Sequence, residues 1–227
     1  MVGQESYDRY MRDNPRWFQE SLRIERERFG NVLTDLLDAT DYQPPDRTLT
    51  IADVACGCCV EAPVLVDVFG RRDGNRQVNI VGIDSVQRRI EIAREQAAGL
   101  PGNHTFTVAD ATANSAYGNH EFDVALFRRQ NIFNQPPLWA KIFETAIERM
   151  GSNSLAIVTS LSGHEHIMAL EAFRQAKEVP VLAVPLATRY AEISDSQSML
   201  FEIMPIESCA SVYYPVHKTY DDEYEIG

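Results

Sequence analysis

The sequence predicts an α/β protein built on a mainly parallel sheet with helices on both faces. Three observations carry this expectation. Short apolar, β-branched runs alternate with helical patterns from residue 49 to residue 177. The first run, Leu49-Thr50-Ile51-Ala52-Asp53-Val54, ends in the small residues Ala55, Cys56, Gly57, Cys58 and Cys59, and a helix-favouring segment follows from Glu61. The next two runs, residues 78–84 and 105–110, each end in an acid, Asp84 and Asp110.

The elements follow in order. Residues 1–40 are polar and helical in pattern, with Tyr7, Tyr10, Met11, Trp17, Phe18 and Leu22 clustered around a break at Asn14-Pro15. Pro15 suits the first turn of a helix and Asn14 its cap. That helix is expected over 16–37, broken near Gly30, and its Arg23, Glu25, Arg26, Glu27 and Arg28 mix both signs as a solvated face does. Pro44-Pro45 lies in a linker into the first strand.

After that strand come the bend of small residues and a helix over 61–69. Gly57 is the one position there that takes positive φ without cost. A polar surface loop follows over 70–77. The second strand (78–84) leads to a helix over 86–98, capped by Ser85, with Ile90, Ile92 and Ala93 inward and Gly99 and Pro101 ending it. The third strand is 105–110 and the fourth 122–127. A helix over 137–150 is terminated by Gly151, a fifth strand covers 154–160 and a helix 165–177. Residues 199–204 and 210–214 read as two further strands able to pair antiparallel, and the acidic end of the chain as disordered.

The chain has 227 residues, 44% hydrophobic and 24% charged, enough for one sizeable core. We expect an N-terminal helical extension (1–45), a central domain (46–220) and an acidic tail (221–227). A net charge of −12 argues against nucleic acid and anionic membrane surfaces, which need a positive footprint, and leaves a small molecule as the expected partner. Cys56, Cys58 and Cys59 share one turn, without the spacing of a zinc site, and no metal is expected. Reduced thiols, no apolar stretch of bilayer length and no signal-peptide pattern fit a cytoplasmic protein.

Four pieces, taken together, resemble the Rossmann-like S-adenosylmethionine-dependent methyltransferases: Asp53-Val-Ala-Cys-Gly-Cys-Cys59, Val81-Gly-Ile-Asp84-Ser85, Val108-Ala-Asp110-Ala111 and Phe122-Asp-Val-Ala-Leu-Phe127. They run in order across roughly half the chain. The resemblance implies a seven-stranded, mainly parallel sheet with a reversed C-terminal strand, and S-adenosyl-L-methionine as cofactor. It departs from the family at Ala55 and Cys59, which stand where the first and third of three alternating glycines are usual. Cys59 is expected to crowd the helix start.

Roles follow by resemblance. Asp53 and the Ala55, Cys56, Gly57 and Cys59 backbone would face the methionine part, Asp84 would hold the ribose hydroxyls, and Ser85 beside it is a further cofactor-binding candidate. Asp110 and Ala111 would meet the adenine, and Phe127 would end its strand beside the transferred methyl. The loop Arg128, Arg129, Gln130, Asn131 would border the acceptor. Its arginines suit a carboxylate or phosphate, or else pair with acids of this acidic chain. Tyr10 and Trp17 either staple the N-terminal helix to the core or, as the resemblance implies, form a lid over the cofactor and serve as substrate-binding candidates. In His164-Glu165-His166, His164 is the candidate base for a hydroxyl or amine acceptor, against the plainer reading of an exposed helix start.

The leading expectation is thus a methyltransferase acting on O or N of a small molecule. A non-catalytic or regulatory binder of the same cofactor is the alternative. A nicotinamide-dependent oxidoreductase fits less well, because Cys58, Cys59 and Val60 follow Gly57 where Gly-x-Gly-x-x-Gly would be needed.

Overall fold

The structure, a computed structural model, describes residues 15–40, 42–72, 76–130, 132–160, 163–176 and 209–213. Helix α1 (Pro15–Asp38) precedes strand β1 (Leu49–Val54), α2 (Ala62–Arg71), β2 (Val78–Asp84), α3 (Gln87–Ala97) and β3 (Thr105–Val108). Then come β4 (Phe122–Arg128), α4 (Pro136–Ile147), β5 (Met150–Ser160), α5 (Gly163–Ala176) and β6 (Cys209–Tyr213). The described residues form a six-stranded sheet in the order β3-β2-β1-β4-β5-β6. Its first five strands pair in parallel, and β6 runs antiparallel to β5. The expected reversed strand is therefore present at residues 209–213, while the strand expected at 199–204 lies outside the described residues.

The side-chain period of two along each strand sorts the core into two layers. Ile51, Ile80, Val124, Leu126 and Leu155 face one way, onto α1, α2 and α3. Val54, Ile83, Ala125, Phe127 and Val158 face the other, onto α4 and α5. Because both faces are covered there, β1, β2 and β4 are buried almost throughout rather than alternating, whereas the edge strand β3 buries only Phe106. The strand order reverses between β1 and β4, and the carboxyl ends of these two strands flank the crevice where an open α/β sheet binds its ligands.

Three boundaries depart from expectation. Helix α1 passes through Gly30 unbroken. A Cβ there would meet Val64 of α2 at 3.6 Å, an ordinary van der Waals contact, so the helix packs on α2 through this position without a break. Ser85 does not cap α3; the Asp84 carboxylate accepts the Val86 N–H at 2.8 Å instead, and Val86 is the extended residue before the first turn. Gly151 does not end α4, which stops at Ile147; Met150 already pairs with Phe122, so ladder formation carries Gly151 into β5. No helix among the described residues is long and apolar enough to cross a membrane.

Gly82, in mid-β2, makes a checkable case of close packing. A Cβ there would run into the Phe106 ring and touch Cys56 Sγ at 3.0 Å. Gly82→Ala is expected to cost about 1–3 kcal/mol through overpacking. Urea denaturation measures it, and an unchanged midpoint would show that the Phe106 ring yields freely.

Candidate functional site

The bend after β1 takes the left-handed conformation at alternate residues: φ is 54° at Ala55, 56° at Gly57 and 46° at Cys59. This is the backbone path of an alternating-glycine loop, kept with alanine and cysteine at two of the three positions. Each non-glycine residue there costs roughly 1–2 kcal/mol. The surroundings offset it. Cys56 N–H donates to the Ile83 carbonyl at 3.0 Å, and Cys59 N–H to the Cys56 carbonyl at 2.8 Å. The Cys59 thiol is buried and reaches Asp53 Oδ2 at 3.0 Å. Cys59 therefore does not crowd the helix start; its side chain turns inward, under the loop. Burial, reinforced by Asp53 and Glu61, pushes the Cys56 and Cys59 thiols up, so neither supplies a thiolate at neutral pH.

Beside this loop lies a cleft of about 440 Å³, within the range of small-molecule sites. Ala55, Asp84, Ser85, Asp110 and Ala111 line it from the ends of β1, β2 and β3, and Arg129 and Gln130 from the end of β4. Leu138, Trp139 and Ile142 of α4 supply an apolar wall that the sequence reading missed; the amphipathic start of that helix was the available signal.

Asp84 is 5% exposed, and its oxygens are oriented by the Gly57 N–H (2.9 Å to Oδ2) and the Val86 N–H (2.8 Å to Oδ1). Each oxygen keeps a second lone pair, as two ribose hydroxyls require. Asp110 is exposed, and its Oδ1 accepts both the N–H and the hydroxyl of Thr112, at 2.9 and 2.8 Å. These bonds hold its carboxyl below the usual carboxylate range and keep it ionised. Ala111 is fixed through its carbonyl, which accepts the Tyr117 hydroxyl at 2.9 Å. Gln130 donates to the last carbonyl of β1, Val54, at 2.9 Å, so it braces the cleft floor.

Behind the loop sits a buried charge cluster. Arg128 is 6% exposed and bonds Glu25 of α1 at 2.8 Å and Glu61 at 3.3 Å, its guanidinium 4.4 Å above the Phe29 ring. Arg129 bonds the same Glu25 oxygen. Asp53 lies beside Glu61 with its Oδ1 buried and without a hydrogen-bond partner among the described residues. Burial first, then the Glu61 charge, raises the Asp53 carboxyl well above its usual range. Burial raises Glu61 too, against Arg128. A raised carboxyl pKa stabilises the fold fully below the ordinary carboxylate range, and that contribution is lost as pH rises through the folded value. Asp53→Asn is therefore expected to raise the melting temperature at pH 8 and to converge with the wild type near pH 4. A parallel offset at all pH values would contradict this.

Other expected site residues fall elsewhere. Phe127 is fully buried, packed edge-on against Phe143 and Phe173 on the α4–α5 face, and is not among the cleft-lining residues, which corrects its reading as a neighbour of the transferred methyl. Arg128 lines the cleft, but its guanidinium is held by acids of α1 and of the loop before α2, which corrects its reading as an acceptor contact. His164 is exposed on α5, stacked on Phe133 at 5.3 Å, and is not among the cleft-lining residues, which corrects its reading as the base. The inward histidine is His166, whose Nδ1 lies 3.1 Å from Ser160 Oγ and whose pKa burial lowers. Tyr10, Asn131 and the side chain of Trp17 lie outside what the structure describes.

No protein-family profile matches the sequence, and no curated protein matches it. Solved structures do match in fold. A magnesium protoporphyrin IX methyltransferase from Synechocystis, with bound S-adenosylmethionine, superposes at TM-score 0.54 and 11% identity, over 94% of this chain and 92% of that one. An rRNA methylase from Streptococcus thermophilus gives 0.54 and 9%, over 83% and 94%. A TehB-like S-adenosylmethionine-dependent methyltransferase from Corynebacterium glutamicum gives 0.52 and 14%, over 80% and 86%. The chain thus has the Rossmann-like fold of the S-adenosylmethionine-dependent methyltransferases.

Proposed function

We propose that this protein is an S-adenosylmethionine-dependent methyltransferase acting on O or N of a small-molecule acceptor. The observation that carries the reading is the loop of alternating left-handed residues opening onto a cleft with Asp84 and Asp110 at successive strand ends. The donor set suits the cofactor. Asp84 offers two oriented acceptors for a ribose and Asp110 an ionised carboxylate for an adenine amino group, whereas Asp53, sealed beneath the loop, is not among the cleft-lining residues. When bound, this cofactor supplies a methyl group on sulfur that is already electrophilic.

The chain's part is to align an acceptor and exclude water. Positioning of this kind supplies roughly 7–11 kcal/mol of a barrier. No histidine lines the cleft among the described residues, which fits catalysis by alignment. The net charge of −12 favours a small acceptor over a nucleic acid. Calorimetric titration with S-adenosylmethionine, followed by a screen for S-adenosylhomocysteine release over an acceptor library, tests the proposal. Binding with no turnover on any acceptor would favour the regulatory alternative; absence of binding would end the cofactor assignment.

A further inference from the structure

The cleft is polarised. Asp84 and Asp110 stand at its β2–β3 end, and Arg128 and Arg129 at its β4 end. Of the three arginines lining the cleft, Arg89 lies at the acid end, 3.8 Å from Asp84 Oδ2, and the other two lie at the β4 end, where no acid is among the described lining residues.

Arg129 is built for such a contact. Its φ of 53° holds a bulky residue in the left-handed region, where strain marks functional positions. Its N–H donates to the Thr159 carbonyl at 2.9 Å, so the strained backbone is fixed and the side chain aimed. The side chain is 17% exposed, against 6% for Arg128. What it grips is a carboxylate: Oε1 of Glu25, which also takes Arg128.

Glu25 comes from α1, ahead of the central domain, and its side chain is 9% exposed. The C-terminal half of α1 is anchored by Phe29, Leu33, Leu36 and Leu37, all fully buried. Around Glu25 itself, Leu22 is buried and Arg26 donates to the Val60 carbonyl at 2.8 Å, so this part of the helix is also held, while Arg23 and Glu27 are exposed. Glu25 can therefore leave Arg129 by a local rotation while the helix stays docked.

We infer that Glu25 is an internal stand-in for the carboxylate of the cofactor's amino-acid end, and that Arg129 is the anion-binding residue of the cleft, released to the ligand when Glu25 swings out. The inference rests on the methyltransferase reading. The carboxylate is the one anionic group of S-adenosylmethionine, and exchanging one carboxylate for another keeps the charge beside the two arginines balanced. Arg128 stays on Glu61 and keeps its structural part.

The test is calorimetric titration of wild type, Glu25→Gln and Arg129→Met with S-adenosylmethionine and with its decarboxylated analogue. Glu25→Gln keeps the side chain's size and one acceptor but loses the competing charge. It is expected to bind S-adenosylmethionine roughly tenfold more tightly than wild type, while the analogue changes by less than about twofold. Arg129→Met is expected to bind the two ligands alike. Binding of the analogue reports that each variant is folded with its nucleoside site intact. Unchanged or weaker binding of S-adenosylmethionine by Glu25→Gln overturns the inference, as does an Arg129→Met variant that still prefers the carboxylate-bearing ligand. In either case a wild type that binds the cofactor leaves the methyltransferase reading standing. Binding of neither ligand to any of the three proteins sinks that reading, and the inference with it.

Discussion

Replacing Arg128 with methionine is expected to lower the unfolding free energy by about 3–5 kcal/mol, because removing one partner of a buried pair strands the other charges. The guanidinium sits between Glu25 and Glu61, which are themselves 9% and 5% exposed, and it covers the Phe29 ring. Against a typical total of about 5–15 kcal/mol, that loss removes a large share of stability. Urea denaturation at pH 7 measures it. The deficit should shrink on acidification. Carboxyls left unpaired in the interior have raised pKa values, and the stability they allow is present at low pH and lost as pH rises. A variant within about 1 kcal/mol of wild type at pH 7 would place this ion pair among the weak surface kind.

Asp84→Ala carries the second large effect, on binding rather than folding. A hydrogen bond to a charged group contributes about 1.5–3 kcal/mol, so loss of one ribose contact alone should weaken S-adenosylmethionine roughly tenfold to a hundredfold. The same change releases the Gly57 N–H, held at 2.9 Å, and the Val86 N–H, held at 2.8 Å, which loosens the bend and the start of α3. Asp84→Asn should be milder, since its carbonyl still accepts one of those donors. Calorimetry with the cofactor decides it. Equal affinity in Asp84→Ala and wild type would move the sugar to another part of the cleft.

The two effects separate because the two acids face different surroundings. Asp84 is bound to main chain at the edge of a cleft, whereas Glu61 is sealed behind the loop with Arg128. In the sequence Glu61 is simply an acid after the first bend and Asp84 an acid ending the second strand.

Much of the architecture was legible from local pattern. Largely apolar runs such as residues 78–83 mark strands buried on both faces, and Asp84 and Asp110 at the ends of two of them line the cleft. The bend at residues 55–59 was readable because few side chains fit against a ligand at a strand end. What local pattern cannot express is which side of the sheet a strand-end residue serves. Phe127 and Arg128 are neighbours, yet one packs into the α4–α5 core and the other reaches toward α1. That choice follows from sheet parity and from which helices cover each face.

The amino-acid order by itself determined the alternation of strands and helices, the small-residue bend and the acids around it, because these depend on interactions a few residues apart. Tertiary structure alone decided that Glu25, read as part of a solvated helix face, is buried against two arginines some hundred residues away. It also decided that Cys59 bonds Asp53 beneath the loop, and that His164 stands outside the cleft. The physical reason is that a charge's partner, and hence its burial and its proton affinity, is set by whichever element packs across from it.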